Sequence, residues 1–182
     1  MKTFTEAYNE VKHLEDSFSI DPSHLETIFQ HARELNWEGS TIVEIGSHKG
    51  FSTCLLAAAA PEATILSVDN SLHVPYTERQ ELFDKLGYKN ISVLNTDSVS
   101  FLQQAANRCE EYEMIFHDAG HGDGVIHEYL LASTLLRDDN MLVIHDWEQI
   151  TNRDEVSKRM NSVDEEELVD DKGRVTLITF IL

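Results

Sequence analysis

The chain has 182 residues, 41% of them hydrophobic, enough for one domain with a sizeable core. It carries 33 acidic against 14 basic side chains, and a net charge of −19 repels phosphate backbones, which argues against nucleic acid as a partner. No apolar run approaches the ~20 residues of a membrane span, and the polar opening segment holds no apolar signal core, so a cytoplasmic protein with no membrane partner is the expectation.

Residues 1–20 are weakly patterned and read as an amphipathic helix or a loose lead-in. Asp21-Pro22-Ser23 is a helix start, with Asp21 as N-cap and proline in the first turn. Leu25, Ile28, Phe29, Ala32 and Leu35 then repeat at helical spacing, up to Trp37-Glu38-Gly39. Thr41, Ile42, Val43 and Ile45 form a β-branched run of the kind a parallel strand buries on both faces. The stretch 51–60 is a nearly wholly apolar helix that ends at Pro61. Strands follow at 63–68, 91–94, 112–117 and 141–145, separated by helices at 77–86, 98–108 and 125–136. Cys54 lies in the apolar helix and Cys109 at the end of another, without metal-ligand spacing, and both read as reduced packing residues.

Strand and helix alternate five times, which implies a parallel sheet with right-handed crossovers. The last third differs. Residues 150–162 read as a polar helix and 164–167 as a solvated acidic loop. Leu168-Val169, the turn at 171–174 and the apolar run 175–181 read as an antiparallel hairpin. The expected organisation is a single α/β domain over 1–182, with a helical lead-in at 1–38 and a Rossmann-like core at 39–182.

In such a sheet ligands bind beyond the carboxyl ends of the strands. The first strand ends in VEIGSHKG, 43–50. Gly46 permits a left-handed turn, Gly50 permits close packing of the next helix, and that helix aims unpaired N–H groups over the turn. Glu44 interrupts the apolar run, and an unpaired buried carboxylate is costly, so it should face a donor or a polar ligand. Asp69 closes the second strand, where a carboxylate can accept both hydroxyls of a ribose. Asp97 follows the third and suits either an adenine amino group or the N-cap of the next helix.

These motifs resemble those of the class I S-adenosylmethionine-dependent methyltransferases. VEIGSHKGFST is similar to that family's glycine motif in its form with a single glycine pair, and SVDN at 67–70 to its ribose motif. The resemblance spans about 40–182. It implies a doubly wound, seven-stranded sheet, mostly parallel, closed by a C-terminal antiparallel hairpin. It further implies that Gly46, Ser47, His48, Gly50 and Ser52 cradle the methionine part of the cofactor. Glu44 would reach the amino group through water or a backbone donor. Asp69 and Asn70 would hold the ribose, Asp97 and Ser98 would flank the adenine, and Asp118 would border the same cleft. A dinucleotide dehydrogenase is the rival for this turn. Against it, Glu44 would repel a pyrophosphate, and His48 replaces a glycine that close approach requires.

A second constellation joins IFHDAGH, 115–121, to VIHDW, 143–147. It sets Asp118, His121, His145 and Asp146 at the tips of adjacent strands, a set of oxygen and nitrogen donors suited to a divalent metal. It resembles a subgroup that methylates sugar hydroxyls of macrolides and related natural products. That resemblance implies Asp118, His145 and Asp146 as magnesium ligands and His121 as general base; Asp118 with Asp146 is then expected to orient the acceptor, directly or through the metal. His145 stands where a carboxylate is usual, which admits Mn²⁺ or Fe²⁺, or no ion. Trp147 would offer the substrate an apolar wall, and His117 reads as a hydrogen-bonded core residue.

Three functions fit: a small-molecule O-methyltransferase, a hydroxylase-like metal enzyme on the same fold, and a non-catalytic nucleoside-binding module. The substrate walls are expected from residues 1–20, 119–124 and 147–155 or from another subunit, which makes a homo-oligomer an expectation too.

Overall fold

The apolar runs become strands β1 (Thr41–Ile45), β2 (Thr64–Asp69), β3 (Ile91–Asn95), β4 (Tyr112–His117), β5 (Leu136–His145), β6 (Asp164–Val169) and β7 (Val175–Ile181). The computed structural model describes residues 1–16, 19–120, 125–151, 153–160, 162, 164–170 and 172–182. Among these residues one seven-stranded sheet forms in the order β3-β2-β1-β4-β5-β7-β6. The pairs from β3 across to β5 are parallel. Strand β7 runs antiparallel to both of its neighbours, as the hairpin reading requires.

The helices are α1 (Phe4–Val11), α2 (Pro22–Glu34), α3 (Phe51–Ala59), α4 (Tyr76–Leu86), α5 (Ser98–Asn107), α6 (Ile126–Ser133) and α7 (Arg153–Met160). They cover both faces of the sheet. Ile42, Met114, Phe116 and Val143 pack on one face with α2 and α3. Val43, Ile115, Leu142 and Ile144 pack on the other with α5, α6 and α7. Burial on both faces is why the central strands read as continuous apolar runs. Residues 1–20 contain a true helix: Thr3 and Glu6 form a reciprocal capping box at the start of α1. Asp21 caps α2, accepting the Ser23 N–H at 2.8 Å, as its sequence position predicts.

Several boundaries move. Strand β5 begins at Leu136, not at 141, because Leu136 pairs with Tyr112 before a register shift. Arg137, Asp138 and Asp139 are polar and exposed, so the apolar pattern misses them. The acidic run 164–167 is strand, not loop. Its backbone pairs with β7 while its carboxylates face solvent, and charge on an open edge opposes pairing with another chain. Cys109 is exposed rather than packed, whereas Cys54 is buried as expected.

The strand order reverses between β1 and β4, whose neighbours lie on opposite sides. The crevice opened by that reversal, at the carboxyl ends of the strands, is where an open α/β sheet takes a ligand.

Candidate active site

The chain leaves β1 through Gly46, whose φ is 96°. Its N–H donates to the Val68 carbonyl at 2.9 Å, and a Cβ there would collide with the Asp118 carbonyl oxygen. No other residue fits between β1 and β4. His48 is also left-handed, at φ 44°. Its N–H donates to Asp69 Oδ2 at 2.9 Å, which ties the turn to the end of β2. Gly50 caps α3 at φ 85°, and a Cβ there would sit 2.5 Å from Phe83 Cζ. The close neighbour is therefore a ring on α4 rather than the strand itself.

Glu44 lies beneath this turn with no exposed surface. The Thr53 hydroxyl on α3 donates to its Oε2, and Oε1 has no hydrogen-bond partner among the described residues. Burial pushes its pKa up to about 7, and the Ser52 and Thr53 hydroxyls offset only part of that. Glu44 braces the turn against α3 from beneath, so a reach toward a cofactor amino group would run through water or a backbone donor, as the resemblance implies. Ser47 and Ser52 face a recess of about 30 Å³ between the turn and the N-terminal segment.

The remaining predicted residues meet in one cleft of about 500 Å³ at the switch point. Gly46, His48, Asn70 and Ser98 line it, and Asp69, Asp97, Asp118 and Asp146 place four carboxylates around it. Asp97 also caps α5, accepting the Ser100 N–H at 2.8 Å, and that bond holds its carboxyl below the usual carboxylate range. The cap reading of Asp97 is therefore correct, and its place on the cleft leaves room for the other. Ser19, Ala119 and Gly120 form part of the wall.

At the far end of the cleft, β4 and β5 bring Asp118, His145 and Asp146 together. His145 Nδ1 lies 3.0 Å from Asp118 Oδ1 and 3.5 Å from Asp146 Oδ1. Burial disfavours the imidazolium, but the two carboxylates outweigh it and push the His145 pKa up to about 10. One donor atom from each of the three residues lies within 4.8 Å of the others. Two carboxylate oxygens and one imidazole nitrogen fit a divalent ion of intermediate softness.

His121 lies outside the described residues. Trp147, expected to wall the substrate, is buried instead and packs edge-on against Phe180, 5.7 Å between ring centres. His117 is the buried, hydrogen-bonded residue its alternation predicts, 3.0 Å from Glu128.

The family described as a methyltransferase domain matches residues 43–147, from the middle of β1 through the turn after β5. The chain belongs to that family. No curated protein matches the sequence closely enough to count as a relative. Solved structures show the fold of this chain more widely. A SAM-dependent methyltransferase from Agrobacterium tumefaciens is 15% identical with a TM-score of 0.66, over 89% of this chain. This chain spans only 63% of that protein's length. An O-methyltransferase from Bacillus cereus, solved with SAH, is 16% identical with a TM-score of 0.71, over 99% of this chain and 90% of that one. The O-methyltransferase TomG from Streptomyces achromogenes, solved with SAM, is 14% identical with a TM-score of 0.69, over 100% and 90%. The expected class I methyltransferase fold, with its closing hairpin, is thus the observed one.

Three residues around the site carry no sequence signal. Arg79 is fully buried beneath the turn, 3.1 Å from both Ser47 Oγ and Asp69 Oδ1. It comes from α4, where an arginine reads as a solvated position. His24 of α2 sits 3.2 Å from His145, and Thr176 of β7 sits 2.8 Å from His24. More than a hundred residues separate His24 from either partner, so no local pattern could have joined them.

Proposed function

We propose that the protein transfers a methyl group from S-adenosylmethionine to a hydroxyl of a small molecule, with the cofactor in the cleft between β1 and β4. The observation that carries this is the ring of four carboxylates around a glycine turn. A sulfonium nucleoside is cationic and has no phosphate, so this cleft attracts it and repels a dinucleotide. His48, where a pyrophosphate-binding turn has glycine, points the same way.

Asp69 and Asn70 hold the ribose, Asp97 and Ser98 border the adenine, and the turn 46–50 supports the methionine part. Methyl transfer is an in-line displacement, so the main task is alignment in a dry cleft. His121 takes the proton of the acceptor hydroxyl, and Asp118 with Asp146 orients that hydroxyl, directly or through a metal. A divalent ion held by Asp118, His145 and Asp146 would lower the hydroxyl pKa when bound. Family membership favours methyl transfer over the hydroxylase-like and non-catalytic readings. The Bacillus and Streptomyces relatives bear names of O-methyltransferases, which supports oxygen as the acceptor atom.

Calorimetric titration of the purified protein tests the reading. S-adenosylhomocysteine should bind at one site, and NAD should give no heat. A protein that ignores the first and retains the second refutes it.

A further inference from the structure

The two ring nitrogens of His145 face opposite ways. Nδ1 looks into the cleft, toward Asp118 and Asp146. Nε2 looks away from it and lies 3.2 Å from Nδ1 of His24. The other nitrogen of His24, Nε2, lies 2.8 Å from Thr176 Oγ1. That hydroxyl is in turn 3.3 Å from the backbone carbonyl oxygen of Leu168. His24 and Thr176 are both buried. A line of polar atoms thus runs from the cleft, through α2, to the backbone of the β6–β7 hairpin.

The end of this line has a fixed sense, because a carbonyl can only accept. A threonine hydroxyl carries one hydrogen. Both contacts of Thr176 are hydrogen bonds only if that hydrogen goes to Leu168, and Thr176 then accepts from His24 Nε2–H. A neutral His24 with its hydrogen on Nε2 has a bare Nδ1, so it accepts from Nε2–H of His145. This holds whether or not Nδ1 of His145 also carries a hydrogen.

We propose that Thr176 and His24 are positioning residues: their hydrogen-bonded relay keeps a hydrogen on Nε2 of His145 and reserves Nδ1 for the cleft. Run the other way, with Thr176 donating to His24, the relay would deliver His24 Nδ1–H to His145 Nε2. Neutral His145 would then need its hydrogen on Nδ1, between the two carboxylates, and could not ligate a cation. The same heavy atoms give either a cation-competent or a cation-blocked site, and the hairpin carbonyl selects the first. The cation part of this inference rests on the metal reading given above; the direction of the bonds does not.

Two measurements test it on the whole chain. The first is the ring ¹⁵N spectrum of histidine-labelled protein. His24 should be a single tautomer with hydrogen on Nε2. Thr176→Val should turn His24 into a mixture, and Thr176→Ser should restore it. A wild-type His24 protonated on Nδ1 overturns the proposal, as does a Thr176→Val protein with unchanged His24 and His145 signals. The second is Mn²⁺ binding followed by electron paramagnetic resonance. Thr176→Val and His24→Phe should each weaken it by about 10–100-fold, the usual effect of removing a partner behind a ligand, with Thr176→Ser near wild type. Equal affinity in wild type and Thr176→Val overturns the relay. A wild-type protein that takes no Mn²⁺ refutes the metal reading instead, and the ring spectra still decide the relay.

Discussion

The carboxylate of Asp69 is held by Arg79, a guanidinium with no exposed surface, at 3.1 Å. The same guanidinium donates to Ser47 Oγ at 3.1 Å and Ser71 Oγ at 3.1 Å, so it clamps the glycine turn to the loop after β2. Asp69 also accepts from the N–H groups of His48 and Ser71. The residue proposed to hold the ribose is thus set in place before any ligand arrives. Removing one partner of a buried ion pair costs about 3–5 kcal/mol. Arg79→Ala should therefore lower the urea midpoint strongly and weaken S-adenosylhomocysteine binding in calorimetry. Arg79→Lys keeps the charge without the fork and should fall between. An Arg79→Ala protein as stable as wild type would show that the clamp carries no weight.

Gly46 and Gly39 separate two effects. Both have a left-handed backbone, at φ 96° and 91°, but only Gly46 has atoms close enough to meet a Cβ. Gly39→Ala should lose only the backbone term, about 1–2 kcal/mol. Gly46→Ala should lose that and also force β1 away from Asp118, with a larger drop in melting temperature and in cofactor affinity. Thermal unfolding of the two variants side by side checks this. Equal losses would mean that the turn yields without strain.

Glu44 makes stability depend on pH in an unusual direction. Its folded pKa of about 7 stands above the 4.5 of a solvated glutamate. The folded state therefore holds the proton more tightly than the unfolded state. The stability this contributes is complete below about pH 4.5 and is lost as pH rises through 7, with a full loss of about 3 kcal/mol. Glu44→Gln removes the titration. Urea unfolding at pH 5 and pH 8 should show wild type losing more stability than Glu44→Gln across that interval. Parallel losses in the two proteins would contradict a protonated Glu44.

His121→Ala tests the base. With a small-molecule alcohol that serves as acceptor, turnover should fall by about 10²–10⁴-fold. Calorimetry with S-adenosylhomocysteine should stay near wild type, because the base is assigned to the acceptor rather than to the cofactor. Unchanged release of S-adenosylhomocysteine in the reaction would remove His121 from that role.

Period and punctuation in the chain were enough for the doubly wound sheet, the closing hairpin and the left-handed turn at Gly46. Apolar runs of strand length, glycines at turns and aspartates at strand ends are local signals, and local geometry answers to them. The gathering of Asp69, Asp97, Asp118 and Asp146 followed too, since parallel strands place all their carboxyl ends on one edge. Packing decided the rest. The burial of Glu44 under α3 came from helix docking, and Trp147 looked like a substrate wall until Phe180 took its ring. The acidic residues 164–167 of β6 have no apolar pattern, and pairing with β7 makes them strand. Arg79, His24 and Thr176 reach the site from α4, α2 and β7, brought there by helix and strand docking. Contacts across such distances along the chain depend on how whole elements pack, and no spacing within one segment encodes them.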